Sequence, residues 1–189
     1  MHHPLWLCVV LFQSASCQPA KFARDPSPQM TSKELLQFHF QPYGLPDMCV
    51  QCLKSSPEDS LFDCSIEFTW EDPNADNSAC YCTSGWQWDG STVTDHSKTL
   101  DDTGYLACKT TNESESEIFQ FKFENMDHPS IFSLLLSHTF VDHTDFPQPQ
   151  RANLFGQANI TLDIEKTTDT SMTYSIPSPQ EARIVGITI

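Results

Sequence analysis

Apolar and polar residues alternate with a period of two along much of this chain. The clearest run covers residues 61–70, where Phe62, Cys64, Ile66, Phe68 and Trp70 alternate with Asp63, Ser65, Glu67 and Thr69. Such alternation marks a strand with one buried and one solvated face in an antiparallel sheet. Asp72-Pro73-Asn74 follows with turn chemistry. A second run, residues 131–140, sets Phe132, Leu134, Leu136, His138 and Phe140 on one face. A third, residues 156–164, points Ala158, Ile160, Leu162 and Ile164 inward. Weaker strand signals lie at 34–40 (Leu36, Phe38 and Phe40 on one face), 80–82, 85–88, 104–109 and 118–123. No window carries a helical stripe over three turns. Many short strands separated by turn signals predict an all-β fold, an antiparallel β-sandwich or barrel.

The flanks read differently. Residues 1–17 hold a short apolar stretch, Pro4 to Phe12, followed by small residues at Ser14, Ala15 and Ser16. That is the pattern of a secretory signal peptide and too short to span a bilayer. Cleavage after Cys17 leaves six cysteines, and cleavage after Ser16 leaves seven; the even count is preferred. Residues 18–32 are Pro-rich and read as a flexible segment. The β-domain is assigned to 33–165. Residues 166–189 are a polar tail ending in Ile184-Val-Gly-Ile-Thr-Ile189, read either as an edge strand or as loose chain.

Eight cysteines and an export signal change the picture most. Disulfides persist in oxidising compartments, so the expectation is a secreted, extracellular domain with Cys49, Cys52, Cys64, Cys80, Cys82 and Cys108 as its disulfide set. Cys64, on an inward face, is expected to bridge to another strand such as that of Cys108. Cys80 and Cys82 are placed on opposite faces of a strand and so assigned different partners. Cys49-Val-Gln-Cys52 has thioredoxin-like spacing but no βαβ context. A four-thiolate zinc site made with Cys80 and Cys82 lacks the ribbon spacing of such sites.

The net charge of −15 repels nucleic acid and anionic lipid, which excludes both as partners. Thirteen Phe against six Gly mean that the chain has a core to bury. Sequons at Asn112-Glu-Ser114 and Asn159-Ile-Thr161 make Asn112 and Asn159 candidate glycosylation sites. His138, His143 and Asp145 offer imidazole and carboxylate within eight residues. His138 falls in an apolar row and His143 beyond its end, so no metal and no cofactor are assigned. Trp86, Trp88 and Asp89 would form a platform for a sugar or apolar ligand if exposed, and core if buried. Glu71/Asp72 and Asp101/Asp102 are adjacent in turns rather than set across a cleft as glycoside hydrolysis requires. No nucleophile elbow, phosphate loop or zincin motif occurs, and the chain is read as a non-enzyme.

Several landmarks recur in a familiar order. These are Phe38-His-Phe40, Cys64-Ser-Ile-Glu-Phe-Thr-Trp-Glu-Asp-Pro73, Cys80, Trp86 and Gly104-Tyr-Leu-Ala-Cys108. Phe119-Gln-Phe-Lys-Phe123, Phe132-Ser-Leu-Leu-Leu-Ser-His138 and Gly156-Gln-Ala then follow. Over residues 33–165 this text resembles the Alternaria major-allergen-like family of small secreted fungal proteins. The resemblance implies a disulfide-bonded β-barrel or sandwich of fungal origin, effector-like or allergen-like in host interaction, with no common enzymatic activity. A homodimer is possible on the same ground. The Cys49–Cys52 pair, the acidic loops and the extension after Glu165 depart from the family pattern.

The expected function is therefore a secreted binding protein whose partner is an extracellular protein or a small ligand. Loops at 72–79, 91–102 and 143–153 would face that partner. The alternatives are a carbohydrate-binding module or weak hydrolase of wall polymers, and a structural wall or matrix protein.

Overall fold

Eleven consecutive register pairs, from Phe62 opposite Trp88 to Asp72 opposite Ser78, join β2 (Phe62–Asp72) to β3 (Ser78–Trp88). The turn between them is built by Asp72, whose Oδ1 accepts hydrogen bonds from the backbone N–H and the side-chain amide of Asn74, both at 2.8 Å. Ser78 Oγ donates to the Ala75 carbonyl at 2.6 Å. Asp76 takes a left-handed φ of 50°, which a short-chain Asp tolerates better than most residues. Phe62, Cys64, Ile66, Phe68 and Trp70 are all buried, as their alternation predicts.

The computed structural model describes residues 39–76, 78–95, 104–110, 117–142 and 150–189. The expected leader, the flexible segment at 18–32 and most of the strand at 34–40 lie outside these residues. Before β2 comes β1 (Tyr43–Leu53); after β3 come β4 (Val93–Asp95), β5 (Leu106–Ala107), β6 (Lys109–Thr110) and β7 (Ile118–His128). The remaining strands are β8 (Ile131–Asp142), β9 (Gln150–Thr161), β10 (Asp163–Thr167), β11 (Ser171–Ser175) and β12 (Gln180–Thr188). The described fold is all-β. Its sheet runs in the order β4-β3-β2-β1-β12-β9-β8-β7-β5, with the β10–β11 hairpin laid against β1.

The sheet nearly closes on itself as an antiparallel barrel. Residues 106–110 complete the circuit, because β5 pairs with β7 whereas β6, two residues on, pairs with β3. Cys108 lies between them and donates its N–H to the Phe119 carbonyl at 2.9 Å. Inside, aromatic rings from opposite walls meet edge to face. Phe68 packs on Phe121 at 5.0 Å, Trp70 on Phe119 at 4.9 Å and Trp86 on Phe123 at 5.6 Å. Such contacts add about 0.5–1.5 kcal/mol each beyond their buried area.

Three expectations are corrected. The segment around Cys49 carried no strand signal, yet β1 is a full strand. A register shift between Gly44 and Asp47 turns both Leu45 and Met48 inward and so breaks the period of two. Asp47 Oδ1 accepts the Thr69 N–H at 2.8 Å within this irregular stretch. The tail at 166–189 is neither loose nor an edge. It supplies β11 and β12, and β12 lies between β1 and β9, so the barrel extends well past residue 165. Ile164 is exposed rather than inward, because Leu162 ends the buried row of β9 and β10 turns out to join β11.

Candidate functional site

One turn and three strand termini define one end of the barrel. The β2–β3 turn, the last residues of β8 and the start of β9 meet there, with Glu117 at the entry to β7. Asn74, Ala75, Asp76, Glu117, Phe140, Val141 and Asp142 line a cleft of about 60 Å³ at this end. Asp142 is buried although it is a carboxylate.

Beneath the cleft two fully buried polar side chains meet across the barrel. His138 of β8 and Asp72 of β2 are 66 residues apart, and their Nδ1 and Oδ2 atoms lie 2.7 Å apart. Phe119 stacks on the imidazole at 3.7 Å and Phe140 at 5.0 Å, while Trp70 meets it edge-on at 6.3 Å. Asp72 is held by its two bonds from Asn74, so carboxylate and ring are both fixed in orientation. An imidazole whose Nδ1–H is given to a carboxylate presents a lone pair at Nε2. Nε2 is buried without a hydrogen-bond partner and lies 4.0 Å from Glu117 Oε2. Among the described residues no serine or cysteine side chain is hydrogen-bonded to it.

This pair was only half visible beforehand. His138 in an apolar row announces a buried imidazole that needs a partner. Nothing local names Asp72, which reads as a turn residue beside Glu71. His143 and Asp145, grouped with His138 on sequence, lie outside the described residues.

The tryptophan platform does not exist. Trp86 and Trp88 point into the barrel with only 4% of their surface exposed. Trp88 packs on Phe62 and His128 at 5.5 and 5.1 Å, and neither indole N–H finds an acceptor. Asp89 is exposed and anchors a turn. It accepts bonds from the N–H and hydroxyl groups of both Ser91 and Thr92, which hold its carboxyl well below the usual carboxylate range. Gly90, at a φ of 96°, makes that turn possible. The turn at residues 89–92 lies at the opposite end of β3 from the β2–β3 turn, while residues 96–102 and 143–149 of the other expected loops lie outside the described residues.

The six cysteines form two bridges, not three. Cys52 joins Cys64, its direct neighbour across β1 and β2, with Cα atoms 4.0 Å apart. Cys64 therefore does not reach for Cys108. Cys82 joins Cys108 and ties the closing segment to β3. Cys49 and Cys80 remain free thiols. Residues two apart on a strand share a face, so Cys80 and Cys82 both point inward, with sulfurs 3.7 Å apart. Burial pushes the Cys80 thiol far up. On the outer wall, partial burial and the carboxylates of Glu165 and Glu67 push the Cys49 thiol up as well. Together Cys80, Cys82 and Cys108 bring three sulfurs close enough to share a metal, but two of them are spent in the bridge.

Asn159 is exposed on β9, with its Oδ1 accepting the Ser133 hydroxyl at 2.8 Å, and Asn112 lies outside the described residues. No helix among the described residues is long and apolar enough to cross a membrane.

A second concavity lies on the outer wall, which the sequence reading did not anticipate. Tyr105, Leu135, Phe155, Val185, Gly186, Ile187 and Thr188 enclose a groove of about 350 Å³. A register shift between Ile184 and Gly186 of β12 forms one side of it. Lys122 Nζ sits 5.1 Å from the Tyr105 ring, and burial together with Glu124 raises the Tyr105 hydroxyl. The signal was present as outward-facing apolar residues, but their convergence depended on the unassigned tail.

Comparison with protein-family models, curated proteins and solved structures returns no match. The two bridges are consistent with an extracellular protein.

Proposed function

We propose that this chain is a secreted, non-enzymatic β-barrel protein that binds a small apolar molecule in its outer-wall groove. The groove carries the reading. Its volume of about 350 Å³ falls within the range of about 300–1,000 Å³ typical of small-molecule sites. By contrast, the end cleft of about 60 Å³ is too small for an organic ligand. Tyr105 and Phe155 supply aromatic walls, Leu135 and Val185 aliphatic ones, and Thr188 and the nearby Lys122 supply polar groups for orientation. An acidic protein gains nothing in solubility from such a patch, which argues for a ligand-binding role. The resemblance to the Alternaria major-allergen-like family adds a fungal origin and an effector-like or allergen-like role in host interaction. The two disulfides and the apolar leader support export.

Val185 is exposed, so Val185→Glu leaves the fold intact while placing a charge in the groove. The full chain, secreted from a eukaryotic host, is titrated with an environment-sensitive apolar dye. Saturable uptake of one dye per chain, weakened at least about tenfold by Val185→Glu, is the expected result. Absence of uptake, or uptake indifferent to the substitution, would refute the reading.

A further inference from the structure

Three sulfurs crowd the seam where the barrel closes. The Sγ atoms of Cys80, Cys82 and Cys108 lie within 4.8 Å of one another, and the free Cys80 thiol is 3.7 Å from Cys82 Sγ. We propose that Cys80 is a resident nucleophile that moves the Cys108 bridge from Cys82 to Cys80, resetting the seam by two residues and with it the outer-wall groove. The effect on the groove rests on its ligand-binding role; the exchange itself does not.

The strand register leaves room for that move. Thr110 pairs with Cys80 and Lys109 with Tyr81, which sets Cys108 opposite Cys82, with Cα atoms 4.4 Å apart. A slide of two residues sets Cys108 opposite Cys80, Lys109 opposite Ala79 and Thr110 opposite Ser78. All three new partners belong to β3, which is paired along its whole length with β2. A slip of one residue would turn every side chain over, whereas a slip of two keeps Cys108 on the inner face. The backbone of the sliding segment is held by two register pairs to β7, two to β3 and the Cys108 bond to Phe119.

Exchange needs no outside oxidant or reductant. The Cys80 thiol gives its proton to water, and the resulting thiolate attacks Cys108 Sγ. The Cys80–Cys108 bond forms as the Cys82–Cys108 bond breaks, and Cys82 leaves as a thiolate that takes up a proton. One disulfide and one thiol stand on each side. Burial disfavours the Cys80 thiolate, so exchange is slow in the closed seam and quickens as the seam opens. Tyr105 lies three residues before Cys108 and forms a wall of the groove. At about 3.3 Å per residue, the slide carries it about 6–7 Å along the barrel wall.

Two variants of the secreted full chain lock the two states. Cys80→Ala keeps Cys82–Cys108, and Cys82→Ala leaves Cys108 only Cys80 nearby. A Cys49→Ala parent background removes exchange through the exposed thiol. Non-reducing peptide mapping should find a Cys80–Cys108 bridge in Cys82→Ala. In the parent held at alkaline pH the same bridge should grow in at a rate independent of protein concentration, rising about tenfold per pH unit. Tyr105 ring signals in NMR should match between parent and Cys80→Ala and differ in Cys82→Ala, whose affinity for the apolar dye should be at least about tenfold weaker. The exchange is overturned if Cys80 and Cys108 stay free in folded Cys82→Ala, if no Cys80–Cys108 peptide forms in the parent, or if the rate depends on concentration. Should Cys82→Ala fail to fold, the parent time course decides. Unmoved Tyr105 signals overturn the hold on the groove. A chain that takes up no dye in either state refutes the ligand-binding role alone, since mapping and the Tyr105 signals still decide the exchange and the slide.

Discussion

The Tyr43 ring occupies the space that a side chain at position 156 would fill. A methyl group built on Gly156 would come within 2.5 Å of that ring, and the Tyr43 hydroxyl donates to the Leu154 carbonyl at 2.9 Å on the same strand. Tyr43 also packs on Trp70 at 4.7 Å. Gly156 is therefore the recess on β9 that lets β1 and β12 close over the core.

Gly156→Ala should lower stability by about 1–3 kcal/mol through overpacking. A denaturant melt followed by tryptophan fluorescence measures it. Adding Tyr43→Leu should recover part of the loss, and a double mutant no more stable than the single one would refute this packing.

The bridge pattern predicts thiol reactivity. In the native protein an alkylating reagent should label Cys49 alone, slowly for an exposed thiol because its ionisation is disfavoured. Cys80 should react only after unfolding. Cys108→Ser should cost about 2–4 kcal/mol, since it frees the strand that completes the barrel. Mass mapping that finds three bridges, or native labelling of Cys80, contradicts this arrangement.

Asp72→Ala removes the partner of a buried imidazole and both bonds that shape the β2–β3 turn. The expected loss is about 1–3 kcal/mol for each buried polar group left without a partner. His138 ring resonances should broaden or move in NMR spectra of the folded variant. Unmoved signals would mean that the pair does not fix the ring.

Asp89 carries a pH dependence whose sign follows from its depressed ionisation. A carboxyl held low when folded stabilises its turn above the ordinary aspartate value of about 3.9, and that contribution disappears as pH falls through the folded value. Amide exchange at Ser91 and Thr92 should quicken relative to the barrel core as pH drops below that range. In Asp89→Ala the same amides should be unprotected at every pH.

Strand rows in β2, β8 and β9 were legible because each buries a single face, so their alternation survives in the text. β1 was not, since the irregularity at Gly44–Asp47 shifts Met48 into the row that Asp47 would otherwise occupy. β12 was not, because Ile184, Val185 and Ile187 straddle a second shift and so show no clean period. The buried His138 could be anticipated, but its carboxylate lies 66 residues away in what reads as a turn. Cysteine pairing failed for a related reason. Cys52 and Cys64 are cross-strand neighbours only once β1 exists.

Tyr43, Gly44 and Leu45 pair with Ala182, Glu181 and Gln180, so the edge of β1 that faces away from β2 finds its neighbour at this end only in the last described strand. Until residues 180–188 have emerged, β1 and β9 expose open edges and an aromatic interior to whatever surrounds them. Barrel closure is thus a late event that follows synthesis of nearly all the described chain. Contacts of such long sequence separation form slowly, and the waiting intermediate is prone to edge-to-edge association. Refolding yield should depend on protein concentration even where the finished barrel is stable.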